Sequence, residues 1–190
     1  QVARPFMKDL ADYCNGSVSM GIRDRLNMVY VESSRSGNGI ATLPDIGTAV
    51  PIAQATIGRA FLSACTPPER EAILNQMKVK EPDQLRKFKP QIEKSLDDIR
   101  TRGFCLSTGE LRREVFAVGV PMRRTVDGEI VAFNCSVPAF MLGCMARFTL
   151  WMRQAARWNV TMRGANIPSS TIPLGSKEKK KACTAKRSRI

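Results

Sequence analysis

Histidine is absent from this chain of 190 residues, and aromatic residues make up only 6% of it. Without histidine there is no Ser-His-Asp or Cys-His nucleophile system, no His-containing zinc site and no histidine pH switch. No apolar run reaches the roughly 18 residues that a membrane-spanning helix needs. The N-terminus also lacks a charged region followed by an apolar stretch, so the sequence predicts no signal peptide. These absences favour binding over catalysis.

Cysteine occurs six times, but no two cysteines have Cys-x-x-Cys spacing. A zinc ribbon or a thioredoxin-type motif is therefore unsupported. Buried, inert thiols in a reducing cytosol are the simplest interpretation, which places the protein in the cytoplasm. We predict no catalytic residue, no metal site and no cofactor. The six are Cys14, Cys65, Cys105, Cys135, Cys144 and Cys183.

Positive charge dominates, with 30 Lys and Arg against 17 Asp and Glu and a net charge of +13. Residues 177–189 contain seven basic residues and one acid, which give +6 and leave +7 for residues 1–176. We predict one domain over residues 1–163 and a basic, solvated tail over residues 164–190. A basic nucleic-acid-binding module is one alternative function. Two Trp and two Tyr give base stacking little support.

Hydrophobic periodicity predicts an amphipathic helix over residues 4–14 and a hairpin of strands over 17–22 and 26–32. In the first of these strands Val18, Met20 and Ile22 share one face. A weak strand follows around residues 39–43. The first residue is Gln rather than Met, so we expect the chain to be part of a longer protein.

The middle of the chain is predicted to be helical, over residues 54–64, 66–77 and 83–103. Thr66-Pro67-Pro68-Glu69 is a helix-start pattern, Asp83 is the expected cap of the third helix, and Pro90 should kink or split that helix. Strands are predicted at 104–107, 115–122 and 130–137, with a turn at Asp127-Gly128, and a long helix at 139–162. This order indicates an α+β domain with an antiparallel sheet and helices on its faces.

Two local features suggest ligand chemistry. Residues 48–62 lead from a loop into a helix, whose first turn offers free N–H groups and a partial positive charge to a small anion. Glu110 and Glu114 flank Arg112 and Arg113 before a strand. The two carboxylates could serve a pocket, but we expect these four residues to form local charge pairs on a surface loop.

Several stretches resemble the effector-binding domain of the IclR-type bacterial transcription regulators. Residues 50–64 (VPIAQATIGRAFLSA) resemble the family's loop-to-helix segment, and TPPERE follows as expected. Residues 99–123 resemble the arginine-glycine-aromatic stretch, the glutamate turn and the strand after it. Residues 126–138 (VDGEIVAFNCSVP) resemble the last hairpin, and RLNMVYVES also fits. The similarity covers about residues 5–160.

The resemblance implies a GAF-like fold, a curved antiparallel sheet flanked by helices, with the effector pocket between the sheet and the loop-to-helix segment. Ser107 stands where the family often has an acid, which would lower repulsion toward an anionic effector. Carried over by motif position, the implied effector-binding residues are Thr56, Ile57, Gly58, Ser107, Ala117, Asn134 and Ser136.

The implied function is sensing, by a repressor or an activator and not by an enzyme. The chain would bind a small effector, a carboxylate or an aromatic acid, and would form a homodimer or homotetramer. It would reach operator DNA only through an N-terminal winged helix-turn-helix that this chain lacks, and would have no membrane partner. GAF-like folds also host Cys-dependent redox enzymes. That alternative requires at least two cysteines converging on a pocket.

Overall fold

The computed structural model describes residues 3–37, 45–122 and 129–139. The predicted helix over 139–162 falls almost wholly outside these ranges. The predicted tail over 164–190, Cys144, Cys183, the weak strand around 39–43 and the Asp127-Gly128 turn also lie outside the described residues. The domain boundary at residue 163 therefore stays a prediction.

The described residues contain four helices and six strands. In chain order they are α1 (Ala3–Cys14), β1 (Ser17–Asp24), β2 (Asn27–Arg35), β3 (Ala49–Pro51), α2 (Thr56–Ala64), α3 (Pro67–Lys80), α4 (Pro82–Arg102), β4 (Cys105–Thr108), β5 (Val115–Met122) and β6 (Val131–Pro138). Within these residues, no helix is long and apolar enough to cross a membrane.

The six strands form one antiparallel sheet in the order β3-β2-β1-β6-β5-β4. Both predicted hairpins are present, and the predicted α+β class with an antiparallel sheet is confirmed. The sequence pattern alone did not predict this order of the strands. The pairing of β1 with β6 joins the two hairpins and sets Ser19 opposite Asn134.

The sheet has two differently covered faces. On one face, α1 packs its apolar side against alternate residues of β1, β5 and β6, including Val18, Val118 and Val137. On the other face, α2 lies between the sheet and α4, and most of its side chains are buried. We call these the α1 face and the α2 face.

Several predicted boundaries are wrong in detail. α4 runs as one helix through Pro90, which lies on its exposed side, where water can satisfy the carbonyl that loses its donor. Its N-cap is Glu81 rather than Asp83, because Pro82 takes the first helical position. α3 continues past residue 77 to Lys80. The short strand β3 had no distinct sequence signal.

Candidate functional site

No side chain of the N-cap residue caps the first turn of α2. Its N-cap residue, Ala55, has no side-chain oxygen, and its carbonyl accepts from the amides of Gly58 at 3.1 Å and Arg59 at 3.2 Å. The amides of Thr56 and Ile57 belong to the turn that has no intrahelical acceptors. A pair of N–H groups without intrahelical acceptors, with the helix dipole behind it, suits an anion.

The next helix, α3, begins in the opposite way. The Thr66 side chain accepts from the Glu69 amide, and the Glu69 carboxylate accepts from the Thr66 amide at 2.8 Å. This capping box, expected from the Thr-Pro-Pro-Glu pattern, satisfies two of the orphan donors within the chain itself. Of these two helix starts, that of α2 is the one that no side chain caps.

Glycine lets α2 approach the sheet at this point. A Cβ atom on Gly119 of β5 would lie 2.6 Å from the Thr56 carbonyl oxygen, and one on Gly58 would lie 2.3 Å from the Ile52 carbonyl oxygen. Both distances are too short for any other residue. The start of α2 therefore rests directly on the middle of β5.

Two rows of small and polar residues cross the sheet beneath this helix start. Both rows lie on the α2 face, because Val118 and Cys135 point into the α1 face and successive residues of a strand point to opposite faces. The first row consists of Ser107, Ala117, Ser136 and Ser17, and the second of Cys105, Gly119, Asn134, Ser19 and Ser33.

Hydrogen bonds link the polar members of these rows. The Asn134 amide nitrogen donates to the Ser136 hydroxyl at 3.1 Å, and the Ser19 and Ser33 hydroxyls are 3.1 Å apart. Burial raises the pKa of Tyr30 to about 12, while a hydrogen bond from the Asn134 side chain acts to lower it. The Asn134 Oδ1 atom is buried and has no hydrogen-bond partner in the part of the chain that the structure describes.

Glu110 contacts residues of β4 and α2 that are not its neighbours on the surface loop. Its carboxylate accepts from the Ser107 hydroxyl and from the Thr108 amide, and it lies 3.7 Å from the fully buried guanidinium of Arg59. Burial acts to raise the pKa of Glu110, but the bond from Ser107 and the nearby Arg59 outweigh it, so this pKa is lowered. An acid, Glu110, therefore lies beside Ser107, at the position where the family often has one.

The structure brings some of the predicted site residues together on one face of the sheet. Ser107, Ala117, Asn134 and Ser136 all lie on the α2 face beneath the backbone of Thr56. The Ile57 side chain does not contribute, because it belongs to the apolar core, and Gly58 has no side chain and packs on the Ile52 backbone. Ile57 is therefore placed at the site by its amide alone.

Sequence reasoning missed Ser17, Ser19, Ser33, Tyr30 and Arg59. For the first two a signal was present, because placing Val18 and Met20 on one face of β1 puts both serines on the other. The register that brings them beside β6 was not readable. Arg59 carried no signal of burial, since arginine is rarely buried without a partner.

Cys14 and Cys135 meet on the α1 face, with their sulfur atoms 3.3 Å apart in an apolar cluster. The contact with Cys135 lowers the pKa of Cys14, and burial raises the pKa of Cys135. Cys65 and Cys105 are also buried and free. The pair lies across the sheet from the polar rows, so the convergence that a redox enzyme needs is not at the candidate site.

Other features near α2 do not form part of this site. A cavity of about 330 Å³ opens beyond the C-terminal half of α2 and is lined by Ser63, Arg70, Leu96, Asp97, Ile99 and Arg100. Two of its charged residues, Arg100 and Asp97, are paired in a 2.6 Å salt bridge. Within the described ranges, no group of three or more Cys, Asp or Glu residues is placed to hold a metal ion.

Residues 1–157 match the family model described as bacterial transcriptional regulator IclR C-terminal. This chain belongs to the IclR family. A curated relative, the HTH-type transcriptional regulator TsaQ1/TsaQ2 of Comamonas testosteroni, is 31% identical over 125 residues, which are 64% of this chain and 45% of the relative. The chain thus spans less than half the length of that relative.

Solved structures agree with this assignment. An IclR family transcriptional regulator from Brucella abortus is similar with a TM-score of 0.76 and 32% identity, over 85% of this chain and 61% of that one. The effector domain of an IclR regulator from Acinetobacter sp. ADP1 has a TM-score of 0.67 and 10% identity, over 85% and 94%. The second likeness concerns the fold alone.

The family assignment fixes the coarse function. The chain is an IclR C-terminal effector-binding domain of a transcriptional regulator, with the α+β, GAF-like fold that the resemblance implied. Proteins of this family are regulators that bind small effectors and DNA, and they are not enzymes. A Cys-dependent redox enzyme is therefore not the function of this domain.

Proposed function

We propose that the α2 face binds a small carboxylate or aromatic acid as the effector of the regulator. The observation that carries this proposal is the uncapped first turn of α2 resting on β5 at Gly119, directly over the polar rows of β5 and β6. The effector carboxylate would accept from the amides of Thr56 and Ile57. Ser136 and Asn134 would contact the rest of the molecule, with Ser107 and Ala117 at the β4 end.

Local charge supports an anionic effector. The Glu110 carboxylate, which is bonded to the first row, is already neutralised by Arg59 and by the donors of Ser107 and Thr108. Its repulsion toward a second carboxylate is correspondingly weakened. The helix start adds a partial positive charge of roughly half an elementary charge.

The chain would act as the sensing and oligomerising part of a longer cytoplasmic protein. The Comamonas relative is helix-turn-helix-type and more than twice as long as the matched region. The described residues begin with one helix and a hairpin, not with a winged helix-turn-helix. Operator DNA would be read by such a module N-terminal to this chain, in a homodimer or homotetramer. The effector would shift the balance between two subunit arrangements by its differential affinity for them.

Thermal unfolding of the full 190-residue chain tests the binding site. We expect pyruvate or benzoate to raise the melting temperature, whereas the neutral amides pyruvamide and benzamide should not. A ligand at 100 times its Kd stabilises by about 2.7 kcal/mol. The dependence of the shift on ligand concentration gives the Kd of each acid.

A matched pair of serine variants locates the binding. Ser136→Ala removes a hydroxyl beneath α2, and Ser95→Ala removes an equally buried hydroxyl from α4. We expect the first to weaken acid binding about tenfold, the size of one lost hydrogen bond to a charged or polar ligand, and the second to leave the Kd unchanged. Equal effects of both variants would contradict this placement.

A further inference from the structure

Two cysteine side chains meet where the C-terminal end of α1 rests on the sheet. Cys14 is the last residue of α1, and Cys135 lies near the middle of β6, paired with Val18 of β1 on one side and Val118 of β5 on the other. Their sulfur atoms are 3.3 Å apart, although 121 positions separate the two residues in the chain. We call Cys14 and Cys135 the thiol pair.

The geometry of the thiol pair is close to that of a disulfide. A disulfide bond is about 2.05 Å long, so the two sulfur atoms need to approach by only about 1.2 Å, the size of a small side-chain rotation. The Cys14 thiol donates to the Leu10 carbonyl oxygen at 2.7 Å. With that proton engaged, the Cys135 thiol is the donor between the two sulfur atoms, and the Cys14 sulfur is the acceptor.

The other two described cysteines have a different environment. Cys65 and Cys105 are also buried and free, but their sulfur atoms contact main-chain carbonyl oxygens of α2, at 3.5 and 3.7 Å. Burial raises the pKa of each of these two thiols to about 11, whereas the contact with Cys135 lowers the pKa of Cys14. The thiolate is the reactive form of cysteine, so Cys14 is favoured as the nucleophile among these four.

We propose that the thiol pair is a modification site, which a small hydroperoxide oxidises to a reversible disulfide. The Cys14 sulfur attacks the outer oxygen of the hydroperoxide, the O–O bond breaks, and the alkoxide leaves as an alcohol with the Cys14 proton. Cys135 then attacks the resulting Cys14 sulfenic acid. The S–S bond forms, the S–O bond breaks, and the hydroxide leaves as water with the Cys135 proton. The two thiols lose two electrons, which reduce the hydroperoxide.

The positions of the two residues assign these roles. Cys14 follows the exposed residues Asp12 and Tyr13 at the end of a surface helix, whereas Cys135 lies in a central strand, between β1 and β5. A small oxidant therefore reaches Cys14 first. The apolar cluster around the pair also favours the uncharged disulfide over the ionised sulfinate that further oxidation would give.

The disulfide would fix the C-terminal end of α1 to β6. Because it links positions 121 residues apart, it restricts the unfolded chain and thereby stabilises the folded one. The thiol pair lies on the α1 face, across the sheet from the polar rows. This inference therefore goes beyond the proposed function and does not depend on it, and the chain would respond to hydroperoxide whether or not the α2 face binds an acid.

Oxidation of the full 190-residue chain with hydrogen peroxide tests the proposal. Digestion with trypsin and chymotrypsin should yield a linked pair of peptides that contain Cys14 and Cys135, since cleavage after Phe140 separates Cys135 from Cys144. Dithiothreitol should release the two peptides. Before digestion, the oxidised chain should melt roughly 10 °C above the reduced chain. Any reaction that leaves Cys14 and Cys135 unlinked, whichever other cysteines are oxidised, overturns the proposal.

Serine variants separate the roles of the two cysteines. Cys135→Ser keeps a hydrogen-bond donor beside Cys14 but cannot close the disulfide, so oxidation should stop at the Cys14 sulfenic acid, which dimedone labels. Cys14→Ser should leave Cys135 unlabelled, and both variants should lose the rise in melting temperature. Cys65→Ser, which replaces a buried thiol outside the pair, should keep the disulfide and that rise. Dimedone labelling of Cys135 in Cys14→Ser, without labelling of Cys14 in Cys135→Ser, overturns the assigned roles.

Discussion

The two faces of β6 are equally buried but chemically opposite. Val137 and Cys135 point to the α1 face and are each 3% exposed, while Ser136 and Asn134, at 6% and 7%, point to the α2 face. Burying an apolar side chain stabilises the fold, whereas burying a polar one costs free energy unless it is hydrogen-bonded. One strand therefore serves stability on one side and recognition on the other.

The same division runs through β1. Val18 and Met20 pack toward α1, and Ser17 and Ser19 face α2. Along both strands the switch occurs at every residue, because successive side chains of a strand point to opposite faces. Substitutions on the α1 face should thus change unfolding and spare ligand binding, whereas substitutions in the polar rows of the α2 face should change ligand binding as well.

Leu10→Ala should give the largest effect, and only on stability. Leu10 is buried in the contact between α1 and the sheet, so truncation should lower the free energy of unfolding by about 2–5 kcal/mol. Urea unfolding measures this, with Asp9→Ala on the exposed side of α1 as a control that stays within about 0.5 kcal/mol. A large loss of acid affinity in the folded Leu10→Ala protein would break the distinction between the faces.

The sequence predicts which residues share a face of a helix or strand, but it does not predict which strands lie side by side. Periodicity located α1, both hairpins and the helix start at residue 56 to within a few residues, because apolar spacing reports which side of an element is buried. Placing Val18 and Met20 on one face of β1 implies that Ser17 and Ser19 lie on the other, but nothing in the pattern places them beside β6. That neighbour relation comes from the β1–β6 pairing, a long-range contact with no local pattern.

Arg59 and Glu110 show a second limit. Glu110 is 51 positions from Arg59 in the chain, and its nearest basic neighbours in sequence are Arg112 and Arg113. Local charge spacing therefore gave no indication that Arg59 lies beside Glu110. The actual pairing needs α2 to lie across the end of β4, which only the packed structure supplies.

Gly119→Ala should affect both properties, because this residue joins the two regions. An added Cβ would lie 2.6 Å from the Thr56 carbonyl oxygen, so α2 must move away from β5. We expect a loss of about 1–3 kcal/mol in the free energy of unfolding, together with weaker acid binding. Gly37→Ala, where an added Cβ meets nothing within 4 Å, serves as the control. Unchanged binding by Gly119→Ala would show that the position of α2 is not needed for the site.

Ser107→Ala should give the smallest effect, and one that depends on pH. The hydroxyl donates to the Glu110 carboxylate, whose pKa in the folded protein is lowered. A lowered pKa contributes stability that is fully present above the unfolded value of about 4.3 and is lost as the pH falls through the folded value. We expect Ser107→Ala to cost about 1 kcal/mol at pH 7 and progressively less as the pH falls through the lowered pKa of Glu110.

Ser95→Ala calibrates this pH dependence. Ser95 is as buried as Ser107, and its side chain bonds the Cys105 thiol, whose pKa burial raises to about 11. Neither group titrates between pH 3 and pH 7, so the cost of Ser95→Ala should be the same at both. Urea unfolding of both variants and the unmodified chain at the two pH values gives the difference. An equally constant cost of Ser107→Ala would show that the pKa of the Glu110 carboxyl does not depend on the Ser107 hydroxyl. It would contradict the description of Glu110 as an acid neutralised beside the site.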